Sequence, residues 1–210
     1  MNDVVLLGDS IFDNARYVPG GSPVIEQLRA HLPREWRATL LAVDGAVASD
    51  VLRQFARLPA DASHLVVSVG GNDALMSSNL VDDSRSTAAE GFTAAADAQQ
   101  QFRDDYRDVI RAVRAVGKPA AVCTIYDAVP GLSRQSITAL SIFNDVILRE
   151  AFQAGLPVLD LRLICDQARD YSAVSPIEPS EVGGAKIVRV MRRLLTDHDF
   201  PRGESVIYVK

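Results

Sequence analysis

The feature that most constrains the fold is a regular alternation of short apolar runs with longer amphipathic stretches. The apolar runs are bounded by Gly or Pro, which predicts strands buried on both faces, and the amphipathic stretches predict helices. We predict five strands, near residues 4–7, 36–43, 64–69, 120–125 and 158–161, with residues 205–209 as a candidate edge strand. The pattern indicates one domain over residues 1–210, an α/β three-layer α/β/α sandwich around a five-stranded, mostly parallel sheet.

Composition and charge argue against several classes of partner. A net charge of −5 and a pI near 5.2 disfavour binding to nucleic acid or to an anionic membrane. No stretch approaches the roughly 20 apolar residues of a membrane helix, and no signal-peptide pattern opens the chain, so we expect a cytoplasmic protein. Cys123 and Cys165 lie in apolar segments, which predicts buried free thiols. The oligomeric state stays open.

A serine follows the first predicted strand directly. The strand ends at Gly8-Asp9-Ser10, so Ser10 would lie at the carboxyl end of a central strand, where open α/β sheets bind ligands. An Asp-Ser pair at this place is also common as a simple helix N-cap. This turn alone therefore leaves catalysis and capping as alternatives.

Two further glycine turns are predicted at the same edge, because the carboxyl ends of parallel strands lie together. Gly45 follows the second strand, and Gly70-Gly71-Asn72-Asp73 follows the third. This combination suits acyl transfer: the Ser10 hydroxyl would attack a carbonyl, and the N–H groups of Ser10, Gly45 and the Asn72 amide would stabilise the oxyanion. Each residue also has a plain structural interpretation, as a turn glycine or a capping Asn.

These three turns together resemble three of the four signature blocks of the SGNH (GDSL-type) esterase/lipase superfamily. The matching residues are 8–11, Gly45 and 70–73, and the resemblance covers essentially the whole chain. It implies a flavodoxin-like fold, Ser10 as the nucleophile, and an oxyanion hole of Ser10, Gly45 and Asn72. It also implies that the protein uses no metal or organic cofactor. Asp9 is expected to order the turn around Ser10, and Asp73 to cap the helix that follows it.

The fourth block departs from the family pattern, which is Asp-x-x-His followed by Pro-Ser. Here the segment runs from Ser175 to Ser180, with Ser175 in the aspartate position and Glu178 in the histidine position. Glu178 is therefore the candidate general base. Its ordinary pKa of about 4.3, against about 6.5 for histidine, leaves roughly 3 kcal/mol of proton affinity for burial to restore. The alternative is a surface glutamate favoured by the dipole of the last helix.

None of the three histidines is predicted near Ser10. His31 ends the first helix, His64 begins the third strand and His198 follows the last helix, all at the opposite edge of the sheet. An atypical serine hydrolase with Ser10 and Glu178, acting on a small-molecule ester or an acylated metabolite, is the leading hypothesis. The alternative is a small-molecule binding protein on a degenerate hydrolase scaffold.

A nucleotide-binding Rossmann domain is disfavoured, since the first turn lacks Gly-x-Gly-x-x-Gly. The pocket walls are expected from Met76 to Ser86 and from Asp127 to Arg134. The absence of a large apolar lid argues against a true lipase. The acyl and alcohol groups of the substrate are not identified by the sequence.

Overall fold

A single parallel sheet organises the computed structural model, which describes residues 1–77 and 87–210. The strands of this described part are β1 (Asn2–Gly8), β2 (Trp36–Leu40), β3 (His64–Ser68), β4 (Ala120–Cys123), β5 (Val158–Leu159) and β6 (Ile207–Tyr208). Their spatial order is β2-β1-β3-β4-β5-β6, and every pairing is parallel. The prediction of five strands was one short: the candidate edge segment does pair, with Ile207 opposite Val158.

Helices cover both faces of the sheet, which confirms the predicted three-layer α/β/α sandwich. The described helices are α1 (Val24–His31), α2 (Ala48–Phe55), α3 (Gly71–Met76), α4 (Ala88–Val116), α5 (Arg134–Gln153), α6 (Leu161–Ile164) and α7 (Glu181–Asp197). Within this part of the chain, no helix combines the length and apolarity needed to cross a membrane.

The two faces of β1 explain why the layers form. Val4 and Leu6 pack into a core with α1 and α7, whereas Val5 and Leu7 pack into a second core with α2, α4 and α5. All four side chains are completely buried, because successive residues of a strand point to opposite faces. β1 therefore lies between the two cores, and the turn that holds Ser10 follows it directly. Cys123 and Cys165 are buried free thiols, as predicted.

Gly8 is the last residue of β1, where the chain lies very close to β3 and enters the turn that holds Ser10. It has φ of +125°, and a Cβ at this position would lie 1.8 Å from the carbonyl oxygen of Ser68. The Gln54 side chain accepts a hydrogen bond from the Gly8 N–H and donates one to the Gly8 carbonyl, each at 2.8 Å. The Gly8 backbone is thus paired with β3 and also bonded by a side chain of α2.

Replacing Gly8 with alanine should therefore lower the free energy of unfolding by about 4 kcal/mol or more, since strain and overlap add. Urea unfolding measures the change. Gly20→Ala is the matched control: Gly20 also has a positive φ, +79°, but nothing lies within 4 Å of its would-be Cβ. The control should cost only about 1–2 kcal/mol. Equal losses in the two variants would contradict the role given to the Ser68 contact.

Candidate active site

One cavity opens at the carboxyl edge of the sheet and brings together most of the predicted site residues. Ser10, Asn72 and Glu178 line it with Asp9, and its volume including the open mouth is about 950 Å³. Ser10 follows β1, Asn72 lies in the first turn of α3, and Glu178 lies in the loop before α7. Sheet topology thus joins residues that are up to 168 positions apart in sequence.

The walls of this cavity agree in part with the segments predicted to form them. Val129 and Leu132, from the loop after β4, line the cavity. Of the other predicted wall, from Met76 to Ser86, Ser77 lines the cavity, and residues 78–86 lie outside the described residues.

Ser10 and Glu178 form a buried hydrogen-bonded pair. The Ser10 Oγ donates to Glu178 Oε1 at 3.0 Å, and the two residues are only 6% and 4% exposed. Burial raises the pKa of Glu178 from 4.5 to about 7, against the opposing effect of the Ser10 hydrogen bond. Glu178 Oε2 is buried without a hydrogen-bond partner among the described residues, which also favours the neutral carboxyl. Glu178 is therefore not a surface glutamate.

Two buried side chains hold the backbone on either side of Glu178. The Tyr126 hydroxyl donates to the carbonyl of Ile177 at 2.6 Å, and the Asn14 side-chain amide donates to the carbonyl of Pro179 at 3.1 Å. Sequence reasoning gave neither side chain a role. Asn14 is completely buried, and no local pattern in its loop indicates that it reaches a segment near the other end of the chain.

The three predicted oxyanion donors lie at the same edge but not all in the same cavity. The N–H groups of Ser10 and Gly45 donate to no acceptor within the described part of the chain. The Asn72 side-chain amide donates one hydrogen bond to the carbonyl of Ala46 at 2.9 Å, which ties the loop after β2 to α3. Gly45, with φ of +82°, lines a separate shallow depression beside Asp44 rather than the cavity of Ser10. The oxyanion role of these groups stays a prediction.

Two further carboxyls at this edge of the sheet, those of Asp9 and Asp73, have raised pKa values. Asp9 Oδ1 accepts the Ile11 N–H at 3.1 Å, a contact within the turn that holds Ser10. Burial raises its pKa to about 8, with smaller contributions from the carboxyls of Glu178 and Asp73. Asp73 accepts the N–H of Ala48, so it caps α2 rather than the helix in which it lies; burial raises its pKa to about 6.

The three histidines lie at the opposite edge of the sheet, as predicted. His64 pairs with Val4 at the start of the strands, whereas Ser10 follows their ends. The rings of His64 and His198 both pack against Phe200, with centroid distances of 5.4 and 4.7 Å. His31 lies at the far end of α1, where its Nδ1 contacts the Gln27 carbonyl at 2.7 Å.

A family model identifies what kind of protein this fold and site belong to. The model of the GDSL-like lipase/acylhydrolase family matches residues 6–185. The chain therefore belongs to the GDSL-like lipase/acylhydrolase family, which confirms the resemblance seen in its motifs. Ester hydrolysis is thereby supported at the level of the family. No curated protein sequence matches the chain.

Solved structures with the same fold include two lipases and an acetylxylan esterase. An extracellular lipase from Streptomyces rimosus is 20% identical with a TM-score of 0.65, over 89% of this chain and 96% of the lipase. A lipase from a goat rumen metagenome is 14% identical with a TM-score of 0.68, over 91% and 96%. A catalytic mutant of an acetylxylan esterase from Geobacillus stearothermophilus is 14% identical with a TM-score of 0.66, over 94% and 95%. At these identities the likeness establishes the shared fold.

Proposed function

We propose that the protein is a serine hydrolase of carboxylic esters in which Ser10 is the nucleophile and Glu178 the general base. The observation that carries the proposal is the 3.0 Å hydrogen bond from the Ser10 hydroxyl to a buried carboxyl whose pKa is raised to about 7. A general base is most effective when its pKa lies near the working pH. Burial thus gives Glu178 the proton affinity that a histidine would otherwise supply.

The proposed reaction follows the usual two steps of acyl transfer. Ionised Glu178 takes the Ser10 proton as Oγ attacks the ester carbonyl, and the resulting oxyanion is met by the N–H groups of Ser10, Gly45 and the Asn72 amide. Each well-placed donor lowers the barrier by about 3–4 kcal/mol. Glu178 then gives the proton to the alcohol oxygen as it leaves, which produces the acyl-enzyme. In the second step Glu178 takes a proton from water as that water attacks the acyl carbonyl. The proton passes to Ser10 Oγ when the acid is released. No metal or organic cofactor is needed.

We propose a small ester or an acylated metabolite as the substrate, with cytoplasmic action and no nucleic-acid or membrane partner. The alternative is a binding protein on a degenerate hydrolase scaffold. Such a protein would need no hydroxyl hydrogen-bonded to a buried carboxyl, and a solvent-facing Glu178 would have favoured it. The 4% exposure of Glu178 supports the enzyme instead.

Covalent labelling with diethyl p-nitrophenyl phosphate tests this function directly. The wild-type chain at pH 8 should gain a single diethylphosphoryl group on Ser10, detected by intact-mass and peptide mass spectrometry. Ser136 also lines the cavity, so Ser136→Ala should label like the wild type, whereas Ser10→Ala should not label. A wild-type chain that stays unlabelled under conditions that inactivate a reference serine esterase would favour the binding protein.

A further inference from the structure

Asp9 is a buried carboxyl next to the nucleophile, and the reaction proposed above does not use it. It precedes Ser10 directly, is only 2% exposed and lines the same cavity. Its Oδ1 accepts the Ile11 N–H at 3.1 Å, whereas Oδ2 has no hydrogen-bond partner elsewhere in the described part of the chain. A buried carboxyl with a donor for only one of its oxygens is more stable neutral, with its proton on the other oxygen, Oδ2.

The backbone of this turn is held by hydrogen bonds that do not involve the Asp9 side chain. The Asp9 N–H donates to the carbonyl of Ser68 at 3.1 Å, and the Asp9 carbonyl accepts from the N–H groups of Phe12 and Asp13 at 3.2 and 3.1 Å. Holding the turn accounts for the contact between Oδ1 and Ile11. It does not account for a second carboxyl oxygen at the wall of the cavity.

The ionisable groups around Asp9 favour its neutral form. Burial raises its pKa to about 8, and the carboxyls of Glu178 and Asp73 add to the rise. The Cys123 thiol and the Tyr126 hydroxyl also interact with Asp9, and burial raises the pKa of both, so they stay neutral. Among the described residues no Lys, Arg or His lines the cavity. Between about pH 7 and about pH 8 the site therefore combines an ionised Glu178 with a neutral Asp9.

Asp9 Oδ2 lies toward α3, the helix that carries the predicted oxyanion donor Asn72. It would be 3.9 Å from a Cβ placed on Gly71, the residue before Asn72, and all three residues line the cavity. Gly45, by contrast, lines a separate depression, and the Asn72 amide gives one of its hydrogens to the carbonyl of Ala46. A neutral carboxyl has one O–H donor. Asp9 can therefore add a donor to those of Ser10 and Asn72 inside the cavity.

We propose that Asp9 is a third catalytic residue, whose neutral carboxyl donates a hydrogen bond from Oδ2 to the oxyanion that forms when Ser10 attacks the ester. The proton stays on Asp9 throughout, and the bond is strongest in the transition state, where the negative charge develops. Ionised Asp9 has no proton to donate and would repel the oxyanion. The inference rests on the proposed hydrolase function and adds a pH limit that Ser10 and Glu178 alone do not set.

The pH dependence of p-nitrophenyl butyrate hydrolysis from pH 5 to 10 tests this role. In the wild type kcat/KM should rise through about pH 7 as Glu178 ionises, and fall above about pH 8 as Asp9 ionises, by about tenfold per pH unit. Asp9→Asn keeps an acceptor for Ile11, presents an N–H donor in place of Oδ2 and cannot ionise. This variant should stay within about tenfold of the wild type at pH 7, keep the rise and lose the fall.

A variant without a donor completes the test. Asp9→Leu, which is close to aspartate in shape, should lower kcat by about 10²–10³-fold at pH 7 with KM within about threefold, because the lost bond belongs to the transition state. Asp13→Asn is the matched control: Asp13 lies in the same turn, but its carboxyl accepts the Asp44 N–H at 3.0 Å and does not line the cavity. The control should keep wild-type activity and the wild-type fall above pH 8. Circular dichroism across the pH range checks that each protein stays folded.

The outcomes separate this role from the function on which it rests. A wild-type plateau up to pH 10, with hydrolysis that still requires Ser10 and Glu178, would overturn the role of Asp9 and leave the hydrolase in place. A fall above pH 8 that persists in Asp9→Asn would overturn it as well, and this comparison holds even where Asp9→Leu does not fold. So would a folded Asp9→Leu variant as active as Asp9→Asn. Hydrolysis that does not require Ser10 would instead overturn the proposed function.

Discussion

Replacing Ser10 with alanine should reduce kcat/KM for p-nitrophenyl butyrate by about 10³-fold or more. The substitution removes the attacking oxygen and leaves only the oxyanion donors and the binding cavity to assist direct attack by water. Steady-state kinetics at pH 8, where the Glu178 carboxyl with its pKa of about 7 is mostly ionised, measures the loss. The side chain is small and bonds only to Glu178 within the described residues, so the fold should survive.

The same variant carries its own check on the serine–glutamate pair. The Ser10 hydrogen bond lowers the pKa of Glu178, so its removal should raise that pKa above about 7. Titration of a carbon-13 label in the glutamate side chains, followed by NMR, would detect the shift. Ser136→Ala, which also removes a serine of the cavity lining, should keep near wild-type activity. A Ser10→Ala enzyme within tenfold of the wild type would mean that another nucleophile is at work.

Local patterns predicted the central part of this molecule because its strands and turns are local structures. A run such as Val4 to Leu7 has few solutions other than a strand buried on both faces, and parallel strands necessarily bring Ser10 and Asn72 to one edge. The two-residue strand β6 was harder to predict, since Ile207 and Tyr208 are too few to show a period. Its pairing depends on β5 being available as an edge.

The chemistry of Glu178 could not have been predicted to the same depth, because distant residues determine it. Its position was predicted from the Pro-Ser that follows it, but its burial depends on Tyr126 and Asn14, which hold the neighbouring backbone from far along the chain. The raised pKa of Asp9 has a similar origin: besides burial, the carboxyls of Glu178 and Asp73 contribute. Those groups meet only in the folded chain.

Replacing Glu178 with glutamine should lower kcat/KM by about 10²–10⁴-fold, the usual contribution of a general base. Glutamine keeps the size of the side chain and an oxygen that accepts from Ser10, but it cannot take the proton. In the wild type the rate should rise with pH through about 7, because the ionised carboxyl is the active form. The variant should lack this rise. Measurement of kcat/KM from pH 5 to 9 for both proteins separates the two behaviours.

The same substitution should change stability in the opposite direction. Because the pKa of Glu178 lies at about 7 in the folded chain, above its ordinary 4.5, folding favours the neutral carboxyl. The stabilising effect of the neutral form is fully present below about pH 4.5 and is lost as the pH rises through about 7. Glu178→Gln should thus be more stable than the wild type at pH 8, by about 1–3 kcal/mol, and should lose this advantage near pH 4.

Urea unfolding at the two pH values measures this difference, and Glu26→Gln, on an exposed position of α1, is the matched control. The control should show no comparable gain at pH 8. A Glu178→Gln variant with no gain would mean that the carboxyl ionises in the folded chain as readily as in water. Glu178 would then be a weak base.

Combining the two substitutions tests whether Ser10 and Glu178 act as one unit. If Glu178 serves only to activate Ser10, the double variant should be no slower than Ser10→Ala alone, since the base has no nucleophile left to activate. Effects that instead multiplied would assign Glu178 an independent role, such as activating the hydrolytic water. Because the pair is joined by one 3.0 Å hydrogen bond in a buried site, we expect strong non-additivity.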